Sequence, residues 1–263
     1  KVFLFDKLRP TPELSFAVRY LRCQAGIVIT ASHNPKEYNG YKAYWNDGGQ
    51  LVPPHDKNVI AEVEKITNPE MVVFKPNVDK IQIIGNDIDE VYFDFIRSLS
   101  INRDVIQKNN QLSIVYTPIH GTGIMGVPQM LSKFGFQNVH LLDSQIIPDG
   151  NFPTVKSPNP EERETMSLAI EKASELNAEL VLATDPDADR VGVACKDHHG
   201  NFVLLNGNQT AAILYYYILS QWNEKNKFKG NEFVVKTIVT SELLSDIAKY
   251  FKVQSFDVLT GFK

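Results

Sequence analysis

A chain of 263 residues that is 43% hydrophobic and 22% charged exceeds the ~100–200 residues of one domain and can bury real cores, which excludes disorder, collagen-like repeats and a disulfide scaffold. Its 27 Lys plus Arg against 31 Asp plus Glu, net −4, offer no broad positive field to nucleic acid or anionic lipid, and its longest apolar run, residues 211–219, is about half of the ~20 residues a bilayer span needs. Cys23 and Cys195 fit neither a zinc nor a redox spacing and read as reduced thiols of a cytoplasmic protein.

The chain opens on the apolar run Val2-Phe3-Leu4-Phe5 without an initiator Met and stops at Thr260-Gly261-Phe262-Lys263, just past another apolar run; the expectation is a piece of something longer. Short β-branched runs alternate with helical periodicity, which predicts an α/β fold of mixed, mainly parallel sheets flanked by helices. Thr11 is the predicted N-cap of a helix to about residue 23, with Pro12 at its first position and Glu13 in its first turn. Strands are predicted at 26–31 and 41–46, the second closed by Asp47-Gly48-Gly49. The spacings of Val59, Val63 and Ile66, and of Val91, Phe95 and Leu99, give two amphipathic helices.

The polar stretch 102–111 has little to bury, and a domain boundary is placed there. Beyond it come a strand at 112–117, a glycine loop, a helix at 127–134 and a strand at 139–142, followed by a Pro-rich loop, 147–160. Glu161, Glu162 and Glu164 open the next helix, at the positive end of its dipole. A strand at 180–184 leads through an acidic loop to hairpin strands at 191–195 and 202–205. A third unit begins near Asn206 with a long helix, then a strand at 233–239, a helix at 241–251 and an edge strand at 256–259.

Three loops could carry chemistry. Asp185-Pro186-Asp187-Ala188-Asp189-Arg190 directly follows an apolar strand. In extended backbone its alternate carboxylates share one face and repel unless a cation sits among them. Hard oxygen ligands suit Mg²⁺ or Ca²⁺, but Arg190 and Lys196 stand where an EF-hand requires Gly and Glu. A solvated acidic turn is the bland alternative. Thr30-Ala31-Ser32-His33-Asn34-Pro35 places a serine beyond the carboxyl end of a strand, where α/β sheets bind ligands. His33 can exchange a proton near neutrality, and Lys42, past the Asn39-Gly40 turn, can fold back beside Ser32. Taken singly, these are ordinary turn residues. A serine hydrolase is not expected, because an adjacent histidine seldom folds onto the nucleophile.

Gly121-Thr122-Gly123-Ile124-Met125-Gly126, with Asp143 ending the next strand, has the spacing of a dinucleotide-binding fingerprint. Against it, Pro118 and His120 intrude before the first glycine and Pro128 follows closely. Only about four strands follow, short of the six of a full dinucleotide fold. A helix-terminus phosphate site or a tight turn explains the glycines equally well.

Together these residues resemble the α-D-phosphohexomutases, the phosphoglucomutases and phosphomannomutases. Thr30 to Pro35 is similar to that family's phosphoserine loop, Tyr41-Lys42 to the segment with its acid-base lysine, and Asp185 to Arg190 to its metal loop, with Pro186 where Gly is usual. Thr117-Pro118-Ile119-His120-Gly121-Thr122-Gly123 and Pro148-Asp149-Gly150-Asn151-Phe152-Pro153 resemble second-domain segments of the phosphoglucomutase and phosphopentomutase-like branch. The resemblance implies consecutive phosphohexomutase-type α/β domains: 1–103 the C-terminal part of domain 1, 104–205 domain 2, and 206–263 the N-terminal part of domain 3, the first and third incomplete.

It implies an intramolecular phosphotransferase that interconverts sugar 1-phosphate and 6-phosphate, of glucose or mannose, through phosphoserine and a bisphosphate. Ser32 would carry the phosphate and, with Asp185, Asp187 and Asp189, contact Mg²⁺. Arg190 would fork onto the phosphate, Lys42 would move the hydroxyl proton and His33 would steady the sugar. A sugar bisphosphate such as glucose 1,6-bisphosphate would serve as activator, and a sugar phosphate would be the partner, with neither nucleic acid nor membrane. The family's sugar-recognition and fourth-domain phosphate loops have no counterpart here, so the 263 residues are expected to fold without turning over. Two rivals remain at this point: a haloacid-dehalogenase-like phosphatase with Asp185 as nucleophile, and a non-catalytic sugar-phosphate-binding protein.

Overall fold

The strand and helix alternation takes shape as four sheets in the computed structural model, which describes residues 1–260; Gly261 to Lys263, part of the expected third unit and of the chain end noted above, lie outside the described residues. In the first unit β1 (Val2–Phe5) pairs in parallel with β4 (Ile81–Ile84), Val2 opposite Ile81. The apolar opening run therefore belongs to a sheet whose second strand was not expected. Helix α1 (Thr11–Tyr20) and helix α3 (Asn86–Ser98) pack on this pair, where Ala17, Ile84 and Ile88 are buried among Phe3, Phe5 and Leu21. Strands β2 (Ala25–Thr30) and β3 (Gly40–Trp45) form a separate antiparallel hairpin, with Val28 opposite Lys42 and Thr30 opposite Gly40. That register puts Lys42 beside the segment leading to Ser32. Helix α2 (His55–Glu64) buries none of its residues.

One local expectation fails at α1. Thr11 is its first helical residue rather than its cap; Pro10 occupies the cap position and no side chain caps the end. Pro10 and Pro12 hold the entry at the helical φ, while the Thr11 N–H and hydroxyl both donate to Asp187, in another unit.

The polar stretch at the expected boundary forms the short helix α4 (Arg103–Lys108), with no buried residue. Beyond it lies a five-stranded mixed sheet in the order β6-β5-β7-β8-β9. Strands β5 (Ile114–Thr117), β6 (Val139–Leu141) and β7 (Leu180–Thr184) run parallel, whereas β7, β8 (Val191–Lys196) and β9 (Phe202–Leu205) pair antiparallel, as the hairpin reading requires. All four residues of β5 are buried, as expected of a parallel strand covered on both faces. Helix α5 (Val127–Phe134) ends on Gly135 at φ 110°, the left-handed terminator that favours glycine. Helix α6 (Arg163–Glu175) presents Met166, Ala169 and Ala173, all 0% exposed, to Val115, Val181 and Ala183. Alanines four residues apart let this helix lie close on the sheet.

The long helix expected near Asn206 takes that residue as its N-cap, through a capping box. The Asn206 side chain accepts from Gln209 N–H at 2.9 Å while the Gln209 side chain accepts from Asn206 N–H at 3.0 Å. Helix α7 (Gly207–Glu224) and helix α8 (Leu243–Tyr250) bury Leu219, Ala248 and Val253 against the parallel pair β10 (Phe233–Thr237) and β11 (Gln254–Val258). Among the described residues, no helix is long and apolar enough to cross a membrane.

Candidate active site

The serine loop leaves the end of β2 through a strained residue. Ser32 has φ 52°, which non-glycine residues rarely adopt; the conformation is held by the Ser32 N–H donating to Thr30 Oγ1 at 2.7 Å and by Asn34 N–H donating to Ala31 O at 3.1 Å. This turn brings His33 Nδ1 to 3.3 Å from Ser32 Oγ, so the adjacent ring does reach the hydroxyl, contrary to expectation. No carboxylate among the described residues hydrogen-bonds to that ring, and a hydrolase triad is not formed. Burial, then the nearby Arg190 charge, holds His33 below the usual histidine range.

The acidic loop follows β7, whose last residues, Ala183 and Thr184, are buried. Its carboxylates converge, but not through the extended backbone inferred from the sequence. Ala188 N–H donates to Asp185 O at 3.0 Å and Ala188 has φ 54°, so the chain turns; Arg190 N–H closes the loop onto Asp185 Oδ1 at 3.0 Å. One oxygen each from Asp185, Asp187 and Asp189 lies within 4.8 Å of the others. Asp185 is 0% and Asp187 3% exposed. Burial, reinforced by the Asp187 and Asp189 charges, pushes Asp185 up to about 8, while Asp187 Oδ1 is buried without any hydrogen-bond partner. Three crowded carboxylates, a desolvated charge and an orphaned oxygen fit a hard divalent cation such as Mg²⁺.

The hairpin supplies the counter-charge from the first unit. Lys42 Nζ donates to Asp187 Oδ2 at 2.7 Å and to Asp189 Oδ2 at 2.8 Å. Burial alone would depress this ammonium, but the two carboxylates outweigh it and hold Lys42 above the usual lysine range. Ser32 Oγ donates to Asp185 Oδ2 at 3.4 Å. Ser32, His33, Lys42 and the three aspartates therefore meet at one place between two units. Arg190 is exposed, and its guanidinium makes no hydrogen bond or ion pair among the described residues; it stands at the rim, felt by His33 through charge.

Other residues of the site escaped the sequence reading. Tyr44, 1% exposed with an unpartnered hydroxyl, lies two residues beyond Lys42 on the same face of β3; that period of two was its only signal. Gly121 and Gly123 are required by close packing. A Cβ on Gly121 would stand 2.4 Å from Pro186 Cα, and one on Gly123 would stand 2.3 Å from both Thr184 Oγ1 and Tyr116 Oη. Thr122 N–H and hydroxyl donate to Pro186 O at 2.7 and 3.0 Å. The glycine loop is thus packed directly against the aspartate loop, and this close approach, rather than a dinucleotide, accounts for the two glycines. Beside Asp187 a cleft of about 290 Å³ opens between Arg9, Thr30, His120, Gly121 and Phe152.

A serine at a strand end thus meets three aspartates between consecutive α/β units. Family models match along the chain: phosphoglucomutase/phosphomannomutase α/β/α domain I matches residues 1–70, domain II residues 90–200 and domain III residues 206–263. The chain belongs to the phosphoglucomutase/phosphomannomutase family. It is 39% identical over 265 aligned residues to the phosphoglucomutase of Staphylococcus aureus, an alignment covering 100% of the chain and 47% of that relative; the chain thus spans about half the length of the curated relatives it matches. Its fold is similar to that of a Burkholderia thailandensis phosphoglucomutase/phosphomannomutase family protein (TM-score 0.67, 21% identity, 97% of this chain and 51% of that one). It also resembles Aspergillus fumigatus N-acetylphosphoglucosamine mutase, solved with GlcNAc-6P and magnesium (TM-score 0.59, 15% identity, 95% and 58%). Because the aspartate loop lies within the domain II match, the haloacid-dehalogenase reading of Asp185 loses its support.

Proposed function

We propose that this chain carries the phosphoserine and cation half of a sugar-phosphate mutase, with Ser32 as the phosphoryl carrier. The observation behind this reading is the 3.4 Å approach of Ser32 Oγ to Asp185 inside the three-carboxylate cluster. A phosphoryl group on that oxygen brings ~−2 charge to a place already crowded with carboxylates, and only a site built around cations tolerates it. Residues 1–103, 104–205 and 206–263 are read as parts of domains 1, 2 and 3.

In the proposed cycle, the phosphorus–oxygen bond at Ser32 breaks as a sugar hydroxyl oxygen attacks phosphorus. The resulting sugar bisphosphate then returns its other phosphoryl group to Ser32 Oγ. Bound Mg²⁺ would supply neutralisation of the charge on the transferring oxygens. Lys42, protonated between Asp187 and Asp189, gives a proton to the serine oxygen as its phosphate leaves and takes up the proton that the attacking sugar hydroxyl releases. His33, whose protonation burial disfavours, positions the Ser32 oxygen or a sugar hydroxyl through Nδ1, and Arg190 at the rim offers a planar fork to the phosphate. Glucose 1,6-bisphosphate is the proposed activator, and glucose and mannose phosphates are the proposed substrates.

The partial reaction tests this on the chain itself. After incubation with Mg²⁺ and glucose 1,6-bisphosphate, intact mass and peptide mapping are expected to place one phosphate on Ser32 and none on Ser32→Ala. A hydroxylamine-labile phosphate on Asp185 would instead restore the phosphatase reading. Sugar-phosphate binding without phosphate transfer would make the protein a binding module. Overall turnover is tested on a polypeptide of the relatives' full length that bears this segment.

A further inference from the structure

The first four N–H groups of any helix lack an intrahelical acceptor, and α1 spends one of them outside its own unit. The Thr11 N–H donates to Asp187 O at 2.8 Å, and the Thr11 hydroxyl donates to Asp187 Oδ2 at 3.2 Å. Thr11 is 2% exposed, and the prolines on either side leave its geometry little freedom. A threonine in this setting holds both the backbone and the side chain of one residue in a loop 176 positions away.

The two oxygens of Asp187 consequently have different fates. Oδ2 receives Thr11 and, at 2.7 Å, the Lys42 ammonium. Oδ1 receives nothing, although it is buried. A carboxylate free to rotate would present either oxygen; this one is pinned so that the unpartnered oxygen is the one left to a ligand.

We propose that Thr11 is a positioning residue for Asp187, fixing the carboxylate plane so that Oδ1 is presented to a divalent cation. The inference rests on the cation site proposed above and adds the residue that orients it. It also gives the first unit a hold on the second that is independent of Lys42. Because Thr11 and Ser32 belong to the same unit, movement of α1 away from the aspartate loop changes the cation site and the Ser32 to Asp185 separation together.

Mn²⁺ alone is the probe, with binding followed by electron paramagnetic resonance and the fold by thermal melting. Removing a hydrogen bond that orients a metal ligand lowers metal affinity by ~10–100-fold, and that loss is expected for Thr11→Val, which keeps the shape and removes the hydroxyl. Thr11→Ser is expected to restore affinity to within about threefold. In an Asp187→Asn background, Thr11→Val is expected to cause no further loss, since the carboxylate it orients is gone. Should Thr11→Val fail to melt cooperatively, the comparison of Thr11→Ala with Thr11→Ser makes the same test. Unchanged Mn²⁺ affinity in Thr11→Val overturns the proposal, as does an equal loss in Thr11→Ser, which would assign the effect to packing. A lowered melting temperature with unchanged affinity also overturns it, the role then being structural alone. Absence of Mn²⁺ binding by the unmodified chain overturns it together with the cation-site reading, whereas binding by the unmodified chain and equally by Thr11→Val overturns the inference alone.

Discussion

Substituting Gly121 by alanine sets a methyl group against the backbone of the aspartate loop. The added Cβ would lie 2.4 Å from Pro186 Cα, 2.5 Å from its carbonyl oxygen and 2.8 Å from its carbonyl carbon, where ordinary contact begins at 3.4 Å. The two loops must therefore separate by about 1 Å, and no flexible side chain is present to absorb the shift. Overpacking of this kind costs ~1–3 kcal/mol. The same displacement stretches the Thr122 N–H and hydroxyl bonds to Pro186 O, now 2.7 and 3.0 Å, beyond useful length, at ~1 kcal/mol each. A total of ~3–5 kcal/mol corresponds to a melting temperature lower by roughly 6–20 °C for a chain of this size. Pro186 stands between Asp185 and Asp187, so Mn²⁺ affinity should fall by at least about tenfold in parallel. The control is Gly150→Ala: a Cβ there meets nothing within 4 Å, and its melting curve should match the unmodified chain. Thermal melting and a Mn²⁺ titration on both variants check the argument. If Gly121→Ala melts within about a degree of the unmodified chain and binds Mn²⁺ equally, the close packing of the two loops is not what the glycine provides.

The carboxyl of Glu13, 1% exposed, is pushed up to about 8 by burial and then by Asp89, which stays ionised because Arg9 grips it at 2.7 and 2.8 Å. The folded chain therefore holds a proton on Glu13 that the unfolded chain releases near the ordinary 4.5, and this contribution to stability is present below pH 4.5 and lost as pH rises to about 8. Glu13→Gln should match the unmodified chain near pH 4.5 and exceed it by ~1–3 kcal/mol at pH 8, read by urea melts at the two pH values; a difference that does not grow with pH would refute the assignment. Lys42→Met removes an ammonium that grips two of the three carboxylates proposed to bind the cation, at 2.7 and 2.8 Å. Without divalent cation the variant should melt lower than the unmodified chain, and Mn²⁺ should bind about tenfold tighter, about 1.4 kcal/mol, because a competing positive charge has gone. Weaker Mn²⁺ binding in a calorimetric titration would show that Lys42 supports the site rather than competing for it.

Features that depend on neighbours along the chain were legible without the fold. The apolar runs of β5 and β7, the hairpin at β8 and β9, the start of α7 at Asn206 and the clustering of Asp185, Asp187 and Asp189 all rest on periodicity, turn chemistry or charge crowding within about ten residues. So does the placement of Ser32 at a strand end, and the Asn39-Gly40 turn that folds Lys42 back toward it. Features that depend on a distant partner were not. Thr11 reads as a cap because its sequence context offers only the first-turn N–H groups as partners, whereas its hydroxyl donates to the distant Asp187. Glu13 reads as a first-turn acid at a helix start, while burial and the neighbouring Asp89 keep it protonated. Strand β4 is four residues long, too short to show a period, and exists through its pairing with β1. The glycines at 121 and 123 carry a spacing shared by phosphate loops and close-packed turns, and only the arrival of Pro186, Thr184 and Tyr116 against them decides which. Local sequence sets which backbone shapes and charges a segment can offer. Tertiary structure alone decided which of those offers were taken up, because burial and the choice of hydrogen-bond partner are properties of segments brought together from far apart in the chain.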